Sequence, residues 1–190
     1  MNRKMKYYLL PIWSVLDRVY YMFNRLTYLD KNVDGKRNIF RVKLTRYNGR
    51  DVLLADGIQI KKNDFLVKIH LHNVRLLTEI RNIKGEIRKG KFIYQCVESS
   101  LPGLVSYICS HQRKDEIKGI IGITTLNKGS SRLGFESFQI KNRYYKWFKF
   151  ISFIPICLLF STYPFRTMLK QPPTYLFMSK ESLVEKYRKP

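Results

Sequence analysis

Apolar side chains recur at helical spacing near the start of the chain, over residues 12–28. Positions three and four residues apart share one face of an α-helix, and Asp17, Arg18 and Arg25 keep largely to the other side. The pattern therefore predicts an N-terminal helix that packs one face against the core.

Alternating apolar and polar residues follow, a pattern typical of half-buried strands. Residues 39–47 alternate in this way, and so do residues 65–71. The Asn-Gly pair at 48–49 predicts a hairpin turn into a return strand at residues 50–55, and the Asp-Gly pair at 56–57 predicts a second turn. The segment as a whole predicts an antiparallel β-meander.

The helical period returns in the middle of the chain, over residues 73–83 and 91–111. The Pro-Gly pair at 102–103 is expected to kink or split the second of these helices. Residues 117–125 form a short apolar, β-branched run, which predicts a central strand with residues 135–140 as its neighbour.

The last third of the chain predicts an aromatic helix or interfacial segment at residues 144–159 and a strand at 175–178. A terminal helix is expected at residues 180–187, with Ser179 as its cap. We therefore predict an α+β fold in one compact domain over residues 1–190. Its parts are an N-terminal helix, an antiparallel β-meander, central helices and a C-terminal strand-helix unit.

The overall composition only indicates a globular domain, whereas the charge of the chain indicates its kind of partner. Hydrophobic residues make up 45% of the chain, which suits a globular domain, but 36 Lys and Arg stand against 14 Asp and Glu. The net charge of +22 favours polyanionic partners such as anionic lipids or nucleic acid. The three cysteines lie far apart among apolar neighbours, which favours reduced thiols and a reducing compartment.

The sequence favours neither a signal peptide nor a membrane span. Pro11 interrupts the first apolar stretch, and no small-residue cleavage site follows it. Residues 150–165 are the most apolar part of the chain, but Pro155 and Pro164 break them and they fall short of the roughly 20 residues that a span requires.

Two clusters of cationic residues are the candidate surfaces for anions or lipids. The first precedes and enters the apolar run that begins at Phe150, and consists of Lys141, Arg143, Lys146 and Lys149. The second lies on the first predicted hairpin and contains Arg41, Lys43 and Arg46. Basic and aromatic residues before an apolar stretch are typical of an interfacial membrane anchor, and a buried helix with a solvated basic start is the alternative. A basic, aromatic hairpin also suits nucleic-acid backbones.

Polar residues suggest one further candidate site, which comprises Asp56, His70, His72, Asn73 and Arg132. His70 and His72 are two residues apart on a predicted strand, so both imidazoles leave the same face and could approach one metal ion. Third ligands would have to come from Asp56, Asp64 or His111. Structural or hydrogen-bonding histidines are the favoured interpretation, so we predict no metal site and no cofactor.

Known catalytic motifs are absent from the sequence. Residues 122–131 resemble a phosphate-binding loop, but Lys128 precedes Gly129, whereas a P-loop needs lysine after the second glycine. In the run 132–135, Gly134 is expected to end a helix in the left-handed conformation and Phe135 to begin a strand. No Gly-x-Ser-x-Gly and no spaced Cys-His pair occur, so the sequence does not support an enzyme.

Short motifs occur in a fixed order along nearly the whole chain: Trp13, Leu16-Asp17-Arg18, Asp56-Gly57, Ile60, Asp64, His70-Leu71-His72-Asn73, Gly122-Ile123-Thr124, Arg132-Leu133-Gly134-Phe135, Met178-Ser179, Leu183 and Tyr187. In this order and spacing they resemble the YkoP-like domain, a bacterial module that occurs alone or fused to polysaccharide deacetylases. Asn63 stands where the family usually has Gly, and Phe177 where Trp is expected. The resemblance implies a link to the cell envelope in the fused members and no established reaction.

Together these features predict a non-catalytic, basic module on the cytoplasmic face of the membrane, bound to anionic lipids or another envelope polyanion. In this hypothesis residues 141–149 contact the lipids, and residues 150–160 insert or dock. A nucleic-acid-binding protein is the second hypothesis. An enzyme acting on an anionic envelope substrate, with His70 and His72 near its site, is the third.

Overall fold

The computed structural model describes residues 26–29, 38–125, 129–160 and 171–188. Within them the strands are β1 (Thr27–Tyr28), β2 (Phe40–Arg46), β3 (Val52–Leu53), β4 (Gln59–Ile60), β5 (Phe65–Leu71), β6 (Ile117–Thr124), β7 (Glu136–Gln139) and β8 (Thr174–Ser179). The α-helices are α1 (Asn73–Ile80), α2 (Glu86–Ser110), α3 (Arg143–Phe160) and α4 (Lys180–Tyr187), with a 3₁₀ helix at Ser130–Leu133. These elements confirm the predicted α+β class.

Six of the strands form one mixed sheet in the order β1-β2-β5-β6-β8-β7. Every neighbouring pair is antiparallel except β5 and β6, which run parallel. Parallel neighbours need a long crossover connection, and α1 and α2 lie within it. The run at 117–125 is therefore a central strand, as predicted.

The first face of the sheet carries the main hydrophobic core. Alternation along β2 and β5 points Val42 and Val67 to this face, where they join one buried cluster with Leu101 and Leu104 of α2. Leu183 of α4 belongs to the same cluster. These two helices therefore cover the first face.

The second face is covered differently at its two ends. Near the start of β5, Leu66 and Phe177 pack with Leu54 and Ile60 of the small β3-β4 hairpin. Farther along, the rings of Tyr145 on α3 and Tyr175 on β8 are stacked, with 6.3 Å between their centroids. Helix α3 therefore lies against the second face.

The pairing within the predicted meander differs from the expectation. Strand β2 pairs with β5 and not with residues 50–55, and this ladder continues where Tyr47 and Asp64 share a main-chain hydrogen bond of 2.8 Å. The residues between form their own hairpin, in which β3 pairs with β4 across the predicted turn at 56–57. The hairpin at 48–49 was thus a wrong prediction, because the local turn signal yields to the longer β2-β5 ladder.

Three further predictions need correction. The predicted N-terminal helix lies largely outside the described residues, but its last part is wrong because Thr27–Tyr28 form a strand on the edge of β2. Strand β7 pairs with β8 and not with the central strand β6, since β8 lies between them. Pro102 does not split α2, which runs from Glu86 to Ser110.

Gly134 and Asn63 lie in turns where the backbone has a positive φ angle. Gly134 has φ 90° directly after the 3₁₀ helix, which confirms the predicted left-handed stop. Asn63 has φ 73°, a conformation that glycine and asparagine tolerate best, which agrees with the expectation of glycine at this position from the family resemblance.

Candidate functional site

A row of basic side chains crosses the second face of the sheet. Since Val42 and Val67 point to the first face, Arg41 and Lys43 of β2 and Lys68 and His70 of β5 point to the second. The β2-β5 register places Lys43 opposite Lys68 and Arg41 opposite His70. The row therefore brings two predicted anion-binding residues beside one residue of the predicted polar site.

Helix α3 adds Lys149 to this row. The Lys149 ammonium nitrogen lies 5.3 Å from the ring centroid of Tyr145, on the side of the helix that faces the sheet. Burial, and then the charge of Lys68, lower the pKa of Lys149. Lys149 is therefore directed toward the sheet, with its ammonium also 5.7 Å from the ring centroid of Phe148.

The positive charges of the row are close enough together to lower the pKa values of its members. Burial and then the charge of Lys43 lower the pKa of Lys68. The pKa of His70 falls to about 3, because of burial first and then the charges of Lys68, Arg41, Lys149 and Lys43. His70 is thus a neutral imidazole over the physiological range.

No carboxylate in the described part of the chain forms an ion pair with Lys43, Lys68 or Lys149. The ion pairs there join Arg75 to Glu79, Lys89 to Glu86 and Arg113 to Glu116. Arg41 is only 2% exposed, and its guanidinium donates a hydrogen bond to the Leu71 carbonyl at 3.4 Å. The accessible charges of the row are consequently those of the lysines.

The outer surface of α3 is apolar and exposed. Tyr144, Trp147, Phe148 and Ile151 are 89%, 68%, 60% and 42% exposed, and their spacing places them on one face of the helix. We call these four residues the outer stripe. Lys141 and Arg143, at the start of α3, are also exposed. A row of large exposed apolar side chains is unusual for a globular protein and is typical of surfaces that bind a partner or a membrane.

The other two predicted lipid contacts lie apart from the outer stripe. Lys146 is half-buried and falls on the opposite side of α3 at helical spacing. Arg46 is exposed at the far end of β2, where its guanidinium lies 4.9 Å from the ring centroid of Phe65. The predicted anion-binding residues therefore occupy several surfaces, of which the start of α3 borders the outer stripe.

Asp56 has a structural partner at the N-terminus of α4. Its carboxylate accepts hydrogen bonds from the hydroxyls of Ser179 and, at 2.8 Å, of Ser182. Burial opposes ionisation of Asp56, but these bonds and one from the Ile58 main chain outweigh it and lower the pKa. Ser179 caps α4 by accepting from the Ser182 amide at 3.0 Å, as predicted.

Arg132 also lies beside α4. Its main-chain carbonyl accepts a hydrogen bond from the Lys186 ammonium at 2.6 Å, while the neighbouring Leu133 carbonyl accepts one from the Tyr187 hydroxyl at 3.0 Å. The run Arg132-Leu133-Gly134-Phe135 therefore docks the terminal helix. Its position gives this motif a structural role.

The histidines lie at the opposite end of the sheet from Asp56. Ser179, which Asp56 contacts, pairs with Gly119 of β6, and Gly119 in turn lies beside Leu66 near the start of β5. His70 lies near the other end of β5. His72 follows the end of β5, with its ring centroid 5.9 Å from that of Tyr28, and Asn73 begins α1. The predicted polar site is thus divided into two regions, and the described residues contain no cluster of three metal ligands.

Sequence reasoning missed two features of the site. Lys68 was not singled out, although it shares the polar face of β5 with His70. The outer stripe was also missed, although positions 144, 147, 148 and 151 have the spacing of one helical face. No helix in the described ranges combines the length and apolar character that crossing a membrane requires.

Comparisons with known proteins agree with the resemblance in the sequence. The model of the YkoP domain matches residues 6–187. The "Uncharacterized protein YkoP" of Bacillus subtilis (strain 168) is 46% identical over 185 residues, which cover 97% of this chain and 99% of that protein. No solved structure matches the chain significantly. With a family match across almost its whole length and a close full-length relative, the chain belongs to the YkoP domain family.

Proposed function

We propose that this protein is a non-catalytic module that associates peripherally with the anionic cytoplasmic leaflet of a membrane, with α3 as its contact. The observation that carries the proposal is the outer stripe, in which Tyr144, Trp147 and Phe148 are mostly exposed. Aromatic side chains favour the boundary between lipid headgroups and acyl chains. The helix would lie in the plane of that boundary.

Charge supports an anionic surface. Lys141 and Arg143 are exposed where α3 begins, so they would reach headgroup phosphates while the outer stripe enters the interface. Each such residue near an anionic leaflet contributes about 1 kcal/mol of attraction. Over longer range, the net charge of +22 would steer the protein toward the surface.

The test is co-flotation of the full chain with phosphatidylcholine vesicles that contain or lack phosphatidylglycerol, at low and high salt. We expect binding only to the anionic vesicles, and a loss of about tenfold or more in the Trp147→Ser/Phe148→Ser variant. The matched control is Ile87→Ser, which removes an apolar side chain that is 89% exposed on α2. It should float like the parent.

Charge reversal provides the second arm. Lys141→Glu/Arg143→Glu should reduce flotation more than Arg88→Glu/Lys91→Glu, which makes the same charge change at exposed positions of α2. Equal losses from the two pairs would point to attraction by net charge alone and reject α3 as the contact. Flotation unaffected by the Trp147 and Phe148 changes would reject insertion. Tight binding to nucleic acid without vesicle binding would favour the alternative that the protein is a nucleic-acid-binding protein.

A further inference from the structure

An open groove of about 870 Å³ lies on the second face of the sheet, between the β3-β4 hairpin and the start of α3. Its floor is formed by β5, β6 and β8, which contribute Lys68, Ile121 and Tyr175 among others. Residues 45–53 form one wall, and residues 139–142 form the other. The volume lies in the range of sites for small organic molecules.

The lining of the groove is strongly basic. The cationic residues that line it, apart from Arg46 whose guanidinium lies over Phe65, are Arg50, Lys62, Lys68 and Lys141. Among the described residues of the lining Asp51 is the single carboxylate, and it accepts a hydrogen bond from the Lys62 main-chain amide at 3.2 Å. A concave surface lined by one sign of charge concentrates ions of the opposite sign.

Lys68 distinguishes this groove from an ordinary basic surface. It rises from the sheet floor, half-buried, with Lys43 directly opposite on the neighbouring strand. Among the described residues no carboxylate is paired with it, and burial together with Lys43 lowers its pKa. An ammonium group held this way lacks the counter-charge that desolvated cations in proteins normally have. A bound anion would supply that counter-charge.

Aromatic side chains form the rest of the groove. Tyr145 and Tyr175 are stacked with 15° between their planes, and Tyr47, Phe138 and Phe177 line the same space. Burial, and then the neighbouring Tyr175 hydroxyl, raise the pKa of Tyr145 to about 12, so Tyr145 keeps its proton and donates it to Tyr175. Burial also raises the pKa of Tyr175, whose hydroxyl keeps its own proton and can donate to an anion. Such a lining suits a ligand with an apolar or ring-containing part beside its charge.

We propose that the groove binds a small molecule with a phosphate monoester joined to an apolar or ring-containing part, with Lys68 contacting the phosphate. A phosphate monoester carries roughly 1.5 to 2 negative charges near neutral pH, which matches several converging cations better than one carboxylate does. The ligand is either a soluble phosphate monoester or the headgroup of a phosphatidate-type lipid. The groove faces the inner side of α3, so this proposal does not depend on the membrane contact of the outer stripe.

The test is isothermal titration calorimetry on the full chain at low salt, without vesicles. The probes are inorganic phosphate, phenyl phosphate, benzoate and dihexanoyl phosphatidic acid below its micelle concentration. We expect phenyl phosphate to bind more tightly than inorganic phosphate and benzoate. Lys68→Met should weaken this binding about tenfold or more, whereas Lys118→Met, at an exposed lysine of β6 outside the groove, should change it by less than about twofold.

Two further comparisons complete the test. Tighter binding of dihexanoyl phosphatidic acid than of phenyl phosphate would assign the lipid headgroup, and the reverse would assign a soluble ligand. Lys141→Met removes a cation from the wall without altering the sheet, and should also weaken binding. The proposal is overturned if no probe binds, if benzoate equals phenyl phosphate, or if both groove variants retain the parent's affinity. If the Trp147→Ser/Phe148→Ser variant loses vesicle binding but keeps the parent's affinity for phenyl phosphate, the result bears on the membrane proposal alone.

Discussion

Lys43 and Lys68 lie directly opposite each other on the antiparallel strands β2 and β5. Like charges in this cross-strand position destabilise a sheet, and the partial burial of Lys68 adds to the effect. The pKa of Lys68 is lowered by burial first and by Lys43 second. A local arrangement that opposes folding is what a ligand-binding surface often contains.

Replacing Lys68 by Met should therefore stabilise the protein. The charge is removed while most of the side-chain volume remains, and we expect the free energy of unfolding at pH 7 to rise by about 1 kcal/mol. The folded-state pKa is lowered from 10.5, so the charged form penalises folding fully below that lowered value. The penalty is relieved as pH rises toward 10.5. The gain from Lys68→Met should shrink over that interval in urea unfolding measured at several pH values.

Lys118→Met is the matched control, since Lys118 is an exposed lysine on β6. Its free energy of unfolding should stay within about 0.5 kcal/mol of the parent. A destabilised Lys68→Met variant would contradict the interpretation, because it would mean that the ammonium group has a stabilising partner in the folded state.

His70 should make the protein sensitive to acid. Its pKa is about 3 in the folded state against an ordinary 6.5, so below pH 6.5 the unfolded chain binds a proton that the folded chain excludes. Between pH 8 and pH 5 this single group should lower the free energy of unfolding by about 2 kcal/mol.

Urea unfolding at pH 8, 6.5 and 5 measures this effect. Between pH 8 and pH 5 the free energy of unfolding should fall by about 2 kcal/mol less in His70→Gln than in the parent. In His111→Gln, at the end of α2, it should fall as much as in the parent. If His70→Gln loses as much stability in acid as the parent does, the imidazole is not the responsible group.

Local patterns predicted the elements of the fold better than their pairing. Alternation located β2 and β5, and the apolar β-branched run located β6, all to within a residue or two. Helical spacing located α1, and the aromatic run at residues 144–159 located α3. Pairing depends on residues far apart in the chain, and alternation carries no information about the partner strand. For that reason neither the position of β8 between β6 and β7 nor the long β2-β5 ladder followed from the sequence.

The candidate site shows the same division between local and long-range information. The cations at the start of α3 could be named from the sequence because they are neighbours there. The approach of Lys43 to Lys68 depends on strand register, and the burial of Arg41 and His70 depends on what covers the second face. Asp56 and His70 looked like parts of one site, yet the sheet places them at opposite ends.

Ser179 and Asp56 should act as one unit that anchors α4. Ser179→Ala removes the helix cap and should lower the free energy of unfolding by about 1 to 2 kcal/mol. Asp56→Asn weakens the hydrogen bonds from Ser179 and Ser182 and should lower it by about 1 kcal/mol. Because both changes break the same contact, the double variant should lose less than the sum of the two single losses.

Chemical unfolding of the four proteins of this cycle measures the coupling. Ser106→Ala is the control, since Ser106 is an exposed serine within α2 whose hydroxyl donates to the Pro102 carbonyl of its own helix. It should change stability by less than about 0.5 kcal/mol. Strict additivity of Ser179→Ala and Asp56→Asn would argue against a shared role.

Gly119 should be intolerant of any side chain, because a Cβ atom there would meet the main-chain carbonyl oxygen of Met178 on β8. Main chain cannot move aside as a flexible side chain can, so Gly119→Ala should lower the free energy of unfolding by about 1 to 3 kcal/mol. Beyond the backbone of its own helix, no atom of the described residues lies within 4 Å of the Cβ position of Gly90 in α2, and Gly90→Ala should instead raise stability by about 0.5 to 1 kcal/mol. Thermal unfolding of the two variants distinguishes a steric requirement at β6 from a general preference for glycine. Equal effects at the two positions would contradict the close approach of β6 to β8.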